Sequence, residues 1–213
     1  MNNPAPIAVA LDAPNLEIAS QWACRVTPHV STVKIGLELY LRYGPEVVAS
    51  IRGASGVRIF LDLKLHDIPA TVASAARAVA RLRPQLLTVH AAGGPAMIRA
   101  AVEAAAGTPI AAVTALTSLS GEDLNRIGVP GSTADWVLRL AALAVEAGAS
   151  GLVCSPREVA AVRAEVGPGI TLITPGVRPA GADTHDQARV ATPEEALSAG
   201  ARSEERRVGK ECA

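Results

Sequence analysis

Short aliphatic runs recur along the chain, each followed by a longer stretch whose apolar residues return at helical spacing. The first run, Ile7–Leu11, ends in Asp12, and a helical pattern follows Pro14-Asn15 from Leu16 to about Val26. Thr32–Gly36 reads as the second strand, with Lys34 near its end, and Leu39–Ala49 as helical material interrupted at Gly44-Pro45. Ile59–Leu65 is the third strand, and the alanine-rich Ala70–Leu82 its helix. Leu86–His90 is the fourth, with Gly93-Gly94-Pro95 opening a helix to about Ala106. Pro109–Ala115 is the fifth and runs into a polar, flexible loop at Thr117–Gly121, after which Thr133–Ala147 is an amphipathic helix. Gly151–Cys154 is the sixth, with Ser155-Pro156 as N-cap and first residue of a helix through Glu165. Thr171–Thr174 is the seventh, followed by Pro175–Pro179, a long polar loop to Val190 and a short helix over Pro193–Ala199. A loop of that length points to a functional role.

Strictly alternating strands and helices predict an α/β fold with a parallel sheet covered by helices. Seven such units favour a (β/α)8 TIM barrel over an open doubly wound sheet. The eighth strand is not recognisable. After Ala199-Gly200-Ala201 the chain reads RSEERRVGKECA, and one valine cannot supply a buried strand. The organisation expected is therefore a single barrel domain over residues 1–201 and an aberrant charged tail over 202–213. That tail resembles the translation of a sequencing-adapter oligonucleotide and is expected to be a read-through artefact. Without an eighth strand, two strand edges would stay unpaired, and the chain would be poorly soluble or partly folded.

Composition narrows the partners. Hydrophobic residues make up 49% of the chain, while the aromatics are two Trp, two Tyr and one Phe, so packing is aliphatic. Twenty basic and twenty acidic residues leave no net charge, hence no field to recruit nucleic acid or an anionic membrane. Cys24, Cys154 and Cys212 lack CxxC spacing, which argues against a disulfide framework or a zinc site and for a cytoplasmic location. The N-terminal apolar run is too short for a signal or a membrane span.

The chemistry concentrates in Arg58–Thr71. Asp62, Lys64 and Asp67 place three charges at the end of an otherwise apolar strand. In an extended strand residues i and i+2 share a face, so Asp62 and Lys64 should project side by side. A solvated strand end with an ion pair is the plain alternative. Buried charges without partners are costly, however, and their presence here indicates a purpose. On a barrel, Asp12, Lys34, Asp62, Lys64, Asp67, Thr117 and Arg178 all fall at the carboxyl ends of strands, where barrel chemistry resides. His90 reads as a structural hydrogen-bonder, Gly93-Gly94 as a turn rather than a phosphate cradle, and Trp22 and Trp136 as packing. His29, His66 and His185 lack metal-ligand spacing.

Asp62-Leu63-Lys64-Leu65-His66-Asp67-Ile68-Pro69, with Asp12 after the first strand, Lys34 after the second, Leu116-Thr117-Ser118 and Thr174–Pro179, resembles the bacterial-type orotidine 5'-phosphate decarboxylase family over residues 7–201. The resemblance implies decarboxylation of orotidine 5'-phosphate to UMP, the last step of de novo pyrimidine biosynthesis, with no metal, flavin or pyridoxal cofactor. It implies that Lys34, Asp62, Lys64 and Asp67 form an alternating charge array with Lys64 as proton donor. The expected assembly is a homodimer in which Asp67 and Thr71 complete the partner's site. Asp12 and Thr71 would contact the ribose, Thr117 the pyrimidine amide, and Arg178 and Gln187 the phosphate side of the substrate, with Arg178–Val190 as a lid. The family's Gly-Arg phosphate contact after strand eight has no counterpart. Two rivals remain: a metal-dependent phosphosugar decarboxylase or aldolase of the same suprafamily, which would need a carboxylate where Lys34 stands, and an inactive truncated fragment.

Overall fold

The computed structural model describes residues 5–175, 177, 192, 195, 198–201 and, as backbone, 203–207. Eight parallel strands in chain order close a barrel. They are β1 (Ala5–Ala10), β2 (Val30–Gly36), β3 (Arg58–Leu65), β4 (Leu86–His90), β5 (Ile110–Val113), β6 (Gly151–Val153), β7 (Thr171–Thr174) and β8 (Ser203–Arg207). Around them lie α1 (Leu16–Val26), α2 (Leu37–Tyr43), α3 (Glu46–Ser55), α4 (Pro69–Ala80), α5 (Gly94–Ala104), α6 (Gly121–Arg126), α7 (Thr133–Glu146) and α8 (Val159–Val166).

Both faces of the sheet are committed. One packs with Val137, Leu140, Ala141 and Ala144 of α7, Met97 and Ile98 of α5 and the corresponding residues of the other helices into one continuous core. The inward face is filled by a second cluster of Ala8, Phe60, Ala111, Val113, Val153 and Ile173. Mostly small side chains suffice there because a closed eight-strand barrel has a narrow interior. Trp22 and Trp136 pack against the outer core as expected, and the Arg139 guanidinium lies 5.6 Å from the Trp136 ring centroid. Among the described residues no helix is long and apolar enough to cross a membrane.

Three local expectations are corrected. The chain has no aliphatic eighth strand, yet the backbone of Ser203–Arg207 occupies that place, pairing β7 at Ile173↔Ser203 and β1 from Ile7↔Glu204 to Ala10↔Arg207. The two edges expected to stay open are therefore paired, because ladder hydrogen bonds use main-chain groups that any residue but proline carries. Ser155 does not cap α8. Its Oγ accepts from Arg157 N at 3.2 Å in a turn that delays the helix to Val159. The loop beginning at Thr117 contains the first residues of a missed helix, α6, opened by a capping box in which Ser120 Oγ accepts from Asp123 N and Asp123 Oδ2 accepts from Ser120 N. The Ser-x-x-Asp spacing was the signal for it.

Near the end of the described chain, Ala199 N donates to Glu195 O at 3.0 Å, Thr192 N to Glu195 Oε2 at 2.8 Å and Glu195 N to Thr192 Oγ1 at 3.3 Å; the helix expected over Pro193–Ala199 lies largely outside the described residues. Residues 178–190, and with them Arg178, His185, Gln187 and the candidate lid, lie outside the described residues, as does Cys212.

Candidate active site

The site grows from β3. Inward positions alternate from Phe60, in the barrel interior, to Asp62 one step nearer the carboxyl end. Register places Gly36 of β2 opposite Asp62. A Cβ on Gly36 would stand 3.7 Å from Asp12 Oδ1 and 3.8 Å from Lys34 Nζ, which locates Asp12 and the Lys34 ammonium around this glycine. From its own position opposite Phe60, Lys34 reaches to Asp62, with Nζ 3.1 Å from Oδ2. Lys64 Nζ meets the same oxygen at 2.7 Å.

The expected neighbourhood of Asp62 and Lys64 is present, but simple strand alternation does not produce it. Pairing of β3 with β4 holds at Leu61↔Leu87 and resumes at Leu65↔Val89, so three residues of β3 lie opposite Thr88. Lys64 sits at φ 47°, a left-handed conformation uncommon for a residue with a Cβ. Strain of this kind persists where surrounding structure enforces it. Thr88 Oγ1 accepts from Lys64 N and donates to Asp62 Oδ1, both at 2.9 Å. Sequence reading passed over Thr88, since a threonine in a strand satisfies β-propensity by itself. The available signal was a hydroxyl within the aliphatic run Leu86-Leu87-Thr88-Val89.

Asp62 is 4% exposed and Lys34 6%, whereas the Lys64 side chain keeps a third of its surface open. Burial by itself would raise the Asp62 pKa. The charges of Lys34 and Lys64, with their hydrogen bonds, outweigh it and hold the carboxyl below its usual range. Two opposite charges near 4 Å interact by about 4 kcal/mol at an effective dielectric of 20, enough to fix both ammoniums on one carboxylate.

His66 and His90 stack beside the array, ring centroids 5.2 Å apart and planes 14° from parallel. Burial first, then the neighbouring His66 and Lys64, pushes the His90 pKa down. Its Nδ1 accepts from Ala92 N at 3.2 Å, the structural role expected of it. Thr117 is buried just beyond β5. Asp67 and Thr71 are exposed, in the turn before α4 and in its first turn, and the Lys34–Asp62–Lys64 cluster forms without them. Asp67 Oδ1 accepts from Ile68 N at 2.6 Å, and Ile68 is 67% exposed beside it.

A closed parallel barrel with Lys34, Asp62 and Lys64 brought together at the carboxyl ends of β2 and β3 defines a (β/α)8 protein of the kind that does its chemistry on that face. A family model for the orotidine 5'-phosphate decarboxylase / HUMPS family matches residues 5–203, and the chain belongs to that family. It is 71% identical over 197 residues to the orotidine 5'-phosphate decarboxylase of Thermobifida fusca, covering 92% of this chain and 84% of that one. To the enzyme of the same name from Frankia casuarinae it is 56% identical, covering 92% and 78%. The crystal structure of orotidine 5'-phosphate decarboxylase from Lactobacillus acidophilus superposes with a TM-score of 0.81 at 35% identity, covering 97% of this chain and 90% of that one.

Proposed function

We propose that the chain decarboxylates orotidine 5'-phosphate to UMP, the last step of UMP biosynthesis, with Lys64 as the group that protonates the substrate. The observation that carries this reading is the pair of ammoniums on one oxygen of Asp62. Breaking the bond from C6 to the carboxylate leaves an electron pair on C6 of the pyrimidine. An ammonium held beside that carbon stabilises the charge and then gives it a proton. Lys64 suits the task because its ammonium is anchored by Asp62 while its side chain stays one-third exposed at the carboxyl end of β3. Asp62, buried and ionised, would lie near the departing carboxylate, and Lys34 keeps it charged.

Asp12 fits a ribose contact and Thr117 the pyrimidine amide, both at the strand ends. Arg178 and Gln187 are assigned the phosphate side by family resemblance alone. Asp67 and Thr71, exposed beside Ile68, suit a homodimer in which each protomer completes its partner's site. A cytoplasmic location fits a biosynthetic reaction on a soluble nucleotide. Residues 202–213, charged where the family fold needs an aliphatic strand, are proposed to replace a different C-terminal segment.

The deciding assay follows the absorbance of orotidine 5'-phosphate with the full chain and with Lys64→Ala. The parent chain is expected to turn over, indifferent to chelator, and the variant to lose turnover while still binding UMP in a calorimeter. Retained turnover in Lys64→Ala would remove the proton-donor assignment.

A further inference from the structure

Between Leu61↔Leu87 and Leu65↔Val89, β3 uses Asp62, Leu63 and Lys64 where β4 uses Thr88. A bulge of this kind interrupts the ladder and leaves main-chain donors of the longer strand in need of another acceptor. The Lys64 N–H finds one in Thr88 Oγ1 at 2.9 Å. That hydroxyl has one proton of its own, directed to Asp62 Oδ1, also at 2.9 Å. Thr88 is fully buried, with no water-facing surface to compete for either bond.

We propose that Thr88 is a positioning residue for the decarboxylation: it holds the Asp62 carboxylate with Oδ2 turned to the two ammoniums, and it pins the left-handed backbone of Lys64 that aims Nζ at that oxygen. Both ends of the Asp62–Lys64 pair thus depend on one hydroxyl. The bond from Thr88 to Oδ1 fixes the rotation of the carboxylate and so the side on which Oδ2 stands, where both Lys34 and Lys64 are found. The bond to Lys64 N also offsets the cost of holding a side-chain-bearing residue at φ 47°. The inference rests on the reading of Lys64 as the group that reacts.

Thr88→Val keeps the shape and removes the hydroxyl, whereas Thr88→Ser keeps the hydroxyl and removes a methyl. A threonine present only for packing would tolerate Val and suffer with Ser; a positioning hydroxyl predicts the reverse. In the full chain, Thr88→Val is expected to lower kcat by on the order of 100-fold, as small misplacements of reacting groups do, with KM for orotidine 5'-phosphate little changed. Thr88→Ser should stay near the parent chain. Hydrogen exchange at the Lys64 amide, read without substrate, should speed up in Val and remain slow in Ser. Should the Val variant not fold, Thr88→Ala against Thr88→Ser repeats the comparison, since those two differ by the hydroxyl alone. Parent-like turnover and amide protection in Thr88→Val, or an equal loss in Thr88→Ser, would overturn the proposal. Failure of the Lys64 assignment shows up separately, as turnover surviving in Lys64→Ala.

Discussion

Lys34 and Lys64 share a single oxygen, Oδ2 of Asp62, at 3.1 and 2.7 Å, so two like charges stand close together only because a buried carboxylate lies between them. Asp62→Asn would leave both ammoniums facing a neutral amide. Removing one partner of a buried pair costs roughly 3–5 kcal/mol; the lower end, about 3 kcal/mol, is expected here because the Lys64 side chain is one-third exposed. The sign follows from the lowered pKa of Asp62: its contribution is complete above the ordinary carboxylate range and is lost as pH falls through the lower folded value. Thermal melts should show a constant gap between parent and variant from pH 8 to about pH 5, closing below about pH 4. A gap unchanged at pH 3 would contradict the ionised state assigned to Asp62.

His90 carries the opposite kind of group with the same sign. Its pKa is pushed down by burial, then by His66 and Lys64, so the folded chain resists protonating it. Its Nδ1 already accepts from Ala92 N, and a proton on Nδ1 would break that bond. Stability is therefore full above the unfolded histidine value of about 6.5 and declines as pH drops from there toward the folded value. His90→Asn, which can still accept from Ala92, should flatten the melting profile between pH 7 and 5. An NMR titration placing the His90 midpoint above that of a free histidine would reverse the assignment.

Gly93 and Gly94 look equivalent in sequence but are glycine for different reasons. Gly94 has φ 84°, which a residue with a Cβ adopts poorly. Gly93 has an ordinary backbone, yet a Cβ there would stand 2.2 Å from Met97 Sδ and 3.1 Å from His66 Cδ2. Met97 is fully buried, so it cannot yield into solvent. Gly93→Ala should cost about 1–3 kcal/mol by overpacking. In a double-mutant cycle, Met97→Ala should cost less in the Gly93→Ala background than in the parent, because there the truncation also removes the atoms that collide with the new Cβ. Strict additivity would place the strain elsewhere.

Much of the barrel could be read from the chain because parallel strands buried on both faces are unmixed aliphatic runs. Leu86–His90, Thr171–Thr174 and the helix Leu16–Val26 have the bounds the pattern gives. The charges of Asp62 and Lys64 were conspicuous for the same reason, being polar in an apolar frame. What stayed hidden depends on departures from that frame. The left-handed turn at Lys64 has no local signature, since lysine is not a residue that marks positive φ. Thr88 acts through a bulge that exists only once β3 and β4 are paired. The place of Ser203–Arg207 in the sheet follows from the edges of β7 and β1, not from its own residues.

That last strand is a weak point with a measurable cost. Parallel barrel strands are ordinarily apolar on both faces, and Ser203-Glu204-Glu205-Arg206-Arg207 offers no aliphatic side chain. Replacing the five residues as a block by β-branched aliphatics should raise the melting temperature, sharpen the transition and improve solubility. If the unaltered chain already melts as sharply and as high as the replacement, the charged segment is no handicap and the proposed substitution of the C-terminus loses its physical support.

Asp67 stands exposed beside Ile68 and takes no part in the ion pairs that join Lys34 and Lys64 to Asp62. If it serves a partner's site, two individually inactive variants can repair each other. In an Asp67→Asn homodimer every Lys64 faces an asparagine from its partner; in a Lys64→Ala homodimer every Asp67 faces a site without its lysine. A mixed dimer has one site in which the intact Lys64 of the Asp67→Asn protomer receives the intact Asp67 of the Lys64→Ala protomer, and one site lacking both. Random reassembly of equal amounts makes half the dimers mixed, so about a quarter of parent activity per subunit should return. The recovery should require subunit exchange and vanish when the two homodimers are cross-linked before mixing. No recovery after confirmed exchange would place Asp67 in its own chain's site or outside the reaction altogether.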